Sequence, residues 1–475
     1  MIPERIKKEL RGIVGEPWVR DDPEDLLCYA YDATYREHLP DLVVSPASTE
    51  EVAGVLRVAW REEIPVVPRG LGSGLAGGSI PIQGGLVLNL TRMNRILEID
   101  RVNMVAVVQA GVVTADLQAE VARHGLYYPP DPSSQRHSTI GGNIACNAGG
   151  PHCLKYGVTA DYVLGLEVVL ADGRILRTGG KTIKKAVGYN LSQLFVGSEG
   201  TLGVITEAIL RLIPPPKATR TAMAVFPQLI DASIAVTRIL EAGIVPVALE
   251  IMDDTTIATV EAHKHMGLPL DVEAILVIET DGEPDQAERE IQAIADICRR
   301  TGAREVRVAA DEKEGQALMA ARKAVSPSLA RRRPNKLGED ITVPRSAIPE
   351  VVRRIKEISR ETGLPIPIFG HIGDGNLHPN ILFDRRDTEE MKRVEQASRA
   401  IFQAAIELGG VLSGEHGVGV LKLPYLEQNL GPVAVEVMRA IKQTLDPKGI
   451  LNPGKIFPLD HSPQPRDQPR NPRGS

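Results

Sequence analysis

The rhythm of apolar and polar positions changes near residue 216. Before that point, short runs rich in Val, Ile and Leu are cut by Gly, Asp and Pro. Examples are IPVVPRG (64–70), GLVLNL (85–90), MVAVVQAG (104–111), LGLEVVLADGRIL (164–176) and TLGVITEAILRLI (201–213). Such runs between turn residues predict strands. Two segments, TEEVAGVLRVAWREE (49–63) and TADLQAEVARHG (114–125), place apolar residues at helical spacing and predict helices. The stiff PPPK (214–217) predicts a linker. Beyond it, longer amphipathic helices alternate with strands: DQAEREIQAIADICRRTG (285–302) precedes AREVRVA (303–309), and AIPEVVRRIKEISRETG (347–363) leads into PIPIFGHIGDGNLHPNILF (365–383). Each of these helices stops at Gly, a favoured C-terminal cap. Repeated units of this kind predict an α+β fold whose second half is an antiparallel sheet with helices on one face. The expected units are 1–216, 217–411, a third segment over 412–457 and a tail over 458–475.

Composition narrows the function classes. A chain of 475 residues with 43% hydrophobic and 24% charged residues has room for two or three full cores. A net charge of −6 and 4% aromatic residues argue against a nucleic-acid partner. No apolar run approaches the roughly 18 residues of a membrane span. The start, MIPERIKKELRG, has no apolar run of the secretory kind, so a cytoplasmic protein is expected. The four cysteines fit no zinc or iron–sulfur spacing. The Pro- and Arg-rich end, HSPQPRDQPRNPRGS, reads as disordered.

The stretch HIGDGNLH (371–378) sets two histidines around Asp-Gly. With Asp374-Gly375 as the loop of a two-residue hairpin, Gly373 pairs with Asn376, Ile372 with Leu377, and His371 stands opposite His378. Their Cβ atoms would then lie about 5 Å apart, close enough to share one metal ion. Taken alone, two surface histidines beside a turn is the simpler reading.

Three glycine-rich loops accompany strands of the first half. PRGLGSGLAGG (68–78) contains a literal G-x-G-x-x-G, but SIPIQGG follows it and cannot open the helix that a dinucleotide fold requires. The others are STIGGNIACNAGG (138–150), preceded by PPDPSS (129–134), and VGSEGTLGVIT (196–206). Consecutive backbone amides in such loops form nests for phosphate oxygens, and three in one domain suit a long ligand with a pyrophosphate.

These motifs, in this order and together with SGEHGVG (413–419) and LNPGKIF (451–457), resemble the FAD-linked oxidase family, whose FAD domain is of the vanillyl-alcohol-oxidase type. Within it the chain is most similar to the branch of glycolate oxidase D subunits and D-lactate and D-2-hydroxyglutarate dehydrogenases. The resemblance implies an N-terminal FAD domain of two α+β subdomains and a C-terminal cap, with the flavin between them. By position, Pro68, Arg69, Gly70, Leu71, Gly72, Ser73, Gly74 and Leu75 would cradle the pyrophosphate. Pro132, Ser133, Thr139, Gly141, Gly142, Asn143 and Ala145 would line the flavin and ribityl chain. Glu199, Gly200, Gly203 and Ile205 would meet the adenine half, and Asn452 and Lys455 would return near the isoalloxazine. Some relatives bind FAD covalently through a His in the first loop; none lies between 68 and 78, so non-covalent FAD is expected.

The resemblance also places His371, His378 and Glu415 on a divalent metal, zinc, manganese or iron, with His416 as general base. Two imidazoles and a carboxylate form the ligand set of a catalytic rather than structural site. Arg322 would pair with the substrate carboxylate and Asn380 would touch the substrate. Hydroxyglutarate-specific relatives carry a lysine shortly before the Asp of GEDITVP. Gly338 stands there in this chain, with Lys336 two residues earlier, which leans towards a smaller acid such as glycolate or D-lactate. The expected function is oxidation of a small D-2-hydroxy acid, with electrons passed to a non-nicotinamide acceptor. The chain would be a homodimer or one subunit of a complex with iron–sulfur or electron-transfer partners, peripheral at the inner membrane surface through such a partner. The alternative is a non-redox transferase of the alkyl-dihydroxyacetonephosphate synthase kind. A metal-dependent hydrolase would leave the three glycine loops without a purpose.

Overall fold

The computed structural model describes residues 2–458, so the expected disorder of the tail lies outside the described residues. Three sheets carry the architecture. In the first, Val66–Arg69 and Leu42–Val44 flank Leu86–Asn89 in parallel, and Val19–Arg20 adds an antiparallel edge. Its central residues are buried on both faces, as parallel strands require. The helix Thr49–Glu62 starts where the Ser48 hydroxyl accepts the Glu51 amide (3.2 Å) while the Glu51 carboxylate returns to the Ala47 amide (2.7 Å). This reciprocal cap aims Val52, Val55, Leu56 and Ala59 into the core.

The second sheet is antiparallel, in the order Ile96–Asp100, Val105–Gln109, Val204–Arg211, Val163–Val169, Ile175–Gly179. It shares one hydrophobic core with the first sheet, Leu42, Val66 and Leu86 belonging to the same cluster as Val108, Val168 and Ala208.

The third sheet, also antiparallel, runs Glu305–Val308, Ala218–Phe226, Ala274–Gly282, Ala248–Asp253, Ile368–His371, Asn376–Phe383, Asn335–Gly338, with Ile341–Thr342 also paired to Asn376–Phe383. The long helices Leu229–Glu241, Pro284–Arg300, Ile348–Thr362 and Thr388–Glu407 cover one face. On the other face the shorter helices Asp254–Lys264, Glu312–Lys323 and Val325–Leu329 bury a separate, smaller cluster around Met223, Val225, Ile275 and Val277. Side-chain alternation sorts the strands accordingly. Leu249, Ile251, Leu377 and Ile381 face the long helices, while Met252, Phe369 and Leu382 face the opposite way. Glu250, His371, His378 and Asn380 therefore project from the second face.

The hairpin differs from its expected register. His371 pairs with Asn376 and His378 with Phe369, and the loop is Ile372–Gly375, opening with a 3-10 turn over Ile372–Asp374. Asp374 accepts the Asn376 amide (3.1 Å) and Gly375 turns the chain at φ 83°. The shift is by two positions, so every side chain keeps its expected face, and Ile372 still points into the core with Leu377. The two histidines are diagonal rather than direct neighbours, a relation that long side chains still bridge.

The two halves meet where Tyr156 donates to Asp281 (2.7 Å), and Lys155 pairs with the same carboxylate and bonds the Asp281 carbonyl (2.7 Å). The chain end then returns to the first sheet. The Val66 amide bonds the Ile450 carbonyl, the Asn452 amide bonds the Val66 carbonyl, both at 2.8 Å, and Val66 and Leu451 form a parallel bridge. No helix among the described residues is long and apolar enough to cross a membrane.

Candidate active site

The three glycine loops are drawn together by contacts that leave no room for a side chain. A Cβ on Gly70 would collide with the Thr139 side chain, and one on Gly200 would stand 3.0 Å from Pro68. The Gly197 amide bonds Ile144 O (2.9 Å) and the Glu199 amide bonds Ala145 O (2.8 Å). Gly72 turns at φ 72° directly over the Arg69 guanidinium. Thr139 is the N-cap of a short helix, Ile140–Cys146, its hydroxyl accepting the Gly142 amide at 3.2 Å.

Two cations beside these loops are buried without an ion-pair contact, although the Asp32 carboxylate acts on both and Glu199 on Lys455. Arg69, 6% exposed, donates to Ser79 O (3.4 Å) and Oγ (3.3 Å) and lies over the Tyr29 ring at 5.7 Å. Lys455, 2% exposed, donates to Ile80 O (2.5 Å) and Asn452 Oδ1 (3.2 Å), and burial pushes its pKa down to about 8. Neither forms an ion pair among the described residues. Buried cations facing neutral acceptors fit a bound anion, as a pyrophosphate would supply. Arg69 and Lys455 would hold that part of FAD.

Other residues expected at the cofactor are committed elsewhere. Asn143 Nδ2 donates to Thr114 Oγ1 (2.7 Å), and the Ile205 side chain belongs to the hydrophobic core. Gly141 packs on Ala110, and Gly203 on Val168. Pro132 is buried and Ser133 exposed on a loop whose Asp131 abuts Gly150. Leu71 is 46% exposed, and Ser73, Gly74 and Leu75 are half-buried. Asn452 donates to Gly78 O (2.8 Å) and Glu199 O (2.7 Å), which places the returning segment on the first glycine loop. Both oxygens of Glu199 accept backbone amides, of Val418 (2.6 Å) and Gly419 (2.8 Å).

On the cap, four side chains converge. His371 Nε2 lies 3.4 Å, His378 Nε2 3.3 Å and His416 Nε2 3.8 Å from Glu415 Oε1. The His371 and His378 rings are perpendicular, whereas His378 and His416 stack at 6°, each pair with centroids 5.2 Å apart. His371 Nε2 is buried with no hydrogen-bond partner. The ligand atoms of His371, His378 and Glu415 all lie within 4.8 Å of one another. An orphaned imidazole nitrogen facing a carboxylate and a second imidazole fits a divalent ion, and these three residues would hold it. Burial opposes charge on His371, Glu415 and His416. Glu250 and Glu415 nevertheless hold the His371 pKa well above its usual value, and His371 and His378 hold Glu415 well below the carboxylate range. Burial pushes His416 down to about 4, so its ring is neutral near pH 7.

Two carboxylates that no motif flagged organise this centre. Glu250, fully buried on the strand Ala248–Asp253, lies 2.6 Å from His371 Nδ1 and 2.6 Å from Arg322 Nε. The Arg322 contact is an ion pair whose N–H is not aligned for a hydrogen bond. Asp340 accepts the amides of Glu415 (3.0 Å) and His416 (2.9 Å), the Ser413 hydroxyl (2.7 Å) and Asn376 Nδ2 (2.6 Å). It also faces His378 Nδ1 (3.8 Å) and His416 Nδ1 (4.0 Å). Both rings thus keep Nδ1 towards Asp340 and Nε2 towards the centre.

Arg322 lies over the Phe369 ring at 4.8 Å, and its terminal nitrogens form no hydrogen bond among the described residues. Asn380 donates to His378 O at 2.9 Å. Gly338 faces it, since a Cβ there would stand 3.2 Å from Asn380 Oδ1. Lys336 pairs with Leu382 on the face of the site, and its ammonium reaches Ser326 (2.8 Å), four residues past Arg322.

The sequence matches two family descriptions in chain order, "FAD binding domain" over residues 40–179 and "FAD linked oxidases, C-terminal domain" over 215–456. It is 47% identical over 461 residues to the glycolate oxidase subunit GlcD of Bacillus subtilis, covering 97% of this chain and 98% of that one. It is 36% identical to the D-lactate dehydrogenase of Anaerostipes hadrus, covering 96% and 97%. In structure it is similar to p-cresol methylhydroxylase, with a TM-score of 0.80 over 96% of this chain and 97% of that one at 19% identity. The buried cations beside the glycine loops and the full-length matches lead to one conclusion: the chain belongs to the FAD-linked oxidases, a family of flavoprotein oxidoreductases.

Proposed function

We propose that the protein oxidises a small D-2-hydroxy acid of the glycolate or D-lactate type to the 2-oxo acid, using FAD and a divalent ion, and passes the electrons to an acceptor other than nicotinamide. The observation that carries this reading is the convergence of His371 Nε2 and His378 Nε2 on Glu415 Oε1, at 3.4 and 3.3 Å, with His416 Nε2 at 3.8 Å. When bound, FAD supplies the hydride acceptor and the ion the Lewis acidity that lowers the hydroxyl pKa. His416 takes the hydroxyl proton at Nε2, its Nδ1 turned to Asp340. Arg322 grips the substrate carboxylate with its terminal nitrogens, the geometry for which a guanidinium is suited. Asn380 lines the same face. Full-length relatives named as a glycolate oxidase subunit and a D-lactate dehydrogenase support the substrate class, and the subunit name supports assembly into a complex.

Lys336 favours a second reading. Burial lowers its pKa, and its side chain finds only Ser326 Oγ (2.8 Å), which suits the distal carboxylate of a dicarboxylic hydroxy acid. An anaerobic absorption series on the FAD-loaded protein separates the two. Glycolate or D-lactate is expected to bleach the flavin band, and a chelator to abolish the bleaching. Bleaching by D-2-hydroxyglutarate alone supports the Lys336 reading, and an inert flavin sinks both.

A further inference from the structure

The loop holding Glu415 and His416 is strung between the two domains by two carboxylates. From the cap, Asp340 accepts the backbone amides of Glu415 and His416 at 3.0 and 2.9 Å. From the FAD domain, Glu199 accepts those of Val418 and Gly419 at 2.6 and 2.8 Å. Gly417 stands between the two grips at φ 84°, where a Cβ would come 2.8 Å from Glu199 Oε1. The following residues seat on the first glycine loop, the Val420 amide bonding Ala76 O at 2.9 Å.

Glu199 is itself firmly held. Its amide bonds Ala145 O (2.8 Å), its carbonyl accepts Asn452 Nδ2 (2.7 Å), and its φ of 50° is a left-handed conformation that a side-chain-bearing residue keeps only when its surroundings impose it. The carboxylate is buried, 7% exposed, and no cation lies within ion-pair distance of it among the described residues. Each oxygen holds one backbone amide of the loop.

We propose that Glu199 is a positioning residue for the catalytic loop: from the FAD domain it sets where Glu415 and His416 stand relative to the cofactor. This rests on the reading of Glu415 as a metal ligand and of His416 as the base. Without the carboxylate the amides of Val418 and Gly419 lose their acceptors, and the Glu415–His416 pair is held from the cap alone. The ligand set then loosens while the glycine loops that would bind FAD keep their own contacts.

The test is a titration of FAD-loaded protein with Mn²⁺ or Zn²⁺ alone, against a chromophoric chelator, for wild type, Glu199→Gln and Glu199→Ala. Wild type is expected to bind one ion. Glu199→Ala is expected to keep its flavin absorbance and bind the ion about 10- to 100-fold more weakly, the usual cost of losing an outer-shell partner. Its turnover should recover at saturating ion. Glu199→Gln, which keeps one carbonyl acceptor and the shape, should fall between and serves where the Ala variant does not fold. Wild-type ion affinity in both variants overturns the proposal, as does loss of FAD in step with loss of the ion. A wild type that binds no ion fails the metal reading itself, and the proposal with it.

Discussion

Glu250 stands between His371 and Arg322, one oxygen 2.6 Å from the imidazole Nδ1 and the other 2.6 Å from the guanidinium Nε. One buried charge thus orients the His371 ring and the Arg322 guanidinium together. Replacement by Gln preserves shape and removes the charge. Glu250→Gln is expected to weaken binding of a divalent ion about 10- to 100-fold in a chelator competition. Glu250→Ala also strands Arg322 without a counter-charge and should lower stability by about 3–5 kcal/mol in denaturant unfolding. An unchanged ion affinity in the Gln variant would detach Glu250 from the metal.

His416 is the candidate base because its Nε2 lies at the centre while Nδ1 faces Asp340. His416→Ala is expected to lower kcat by about 10²- to 10⁴-fold and to leave flavin absorbance and ion content unchanged. Single-turnover flavin reduction measures the first, and absorbance with metal analysis the second. Near-normal reduction would reassign the base.

Arg69 forms no ion pair beneath the first glycine loop among the described residues, its hydrogen bonds going to Ser79 alone. Arg69→Met keeps the bulk and removes the cation. FAD affinity, read by flavin fluorescence on titration into apoprotein, is expected to fall about 10- to 100-fold, the weight of a hydrogen bond to a charged group. Equal affinity would move the pyrophosphate away from this residue.

Stability should depend on pH through His152. Burial alone would lower its pKa, but Asp131, Glu279 and Asp281 hold it up to about 9, with Nδ1 3.2 Å from Asp131 and Nε2 3.9 Å from Glu279. A folded pKa above the unfolded value of about 6.5 means a contribution fully present below pH 6.5 and lost as pH rises through 9. The melting temperature of wild type should therefore fall more between those limits than that of His152→Gln. Asp131, raised to about 6 by burial, acts in the same sense, stability falling as pH rises towards 6, but below this window.

Much of this centre was legible because its parts are local in sequence. HIGDGNLH brings two imidazoles to one end of a hairpin whatever its register, and the glycine loops announce close approach of backbones. The register itself was not legible: the chain takes a 3-10 turn over Ile372–Asp374 in place of the two-residue loop, a shift by two positions that leaves the pattern of buried and polar faces unchanged. Glu250 was invisible for a different reason. In ALEIMD it reads as the polar member of an alternating strand, and its importance comes from a partner 121 positions away. The same holds for Asp340, whose contacts with Glu415 and His416 are 75 and 76 positions away. Arg69 and Lys455 could be placed by motif, but only burial without an ion-pair contact gives them a physical task. Asn143 and Ile205 sit inside motifs yet direct their side chains to the scaffold.

The bridge between Val66 and Leu451 fixes an order of events during synthesis. The strand Val66–Arg69 leaves the ribosome early, while the residues that complete its open edge, Ile450–Asn452, emerge almost last. A nascent chain therefore carries an unpaired edge beside its nucleotide loop through most of its translation, the kind of edge that recruits other strands. Chains truncated before Ile450 keep that edge for good. They are the species that chaperones and proteases would meet first.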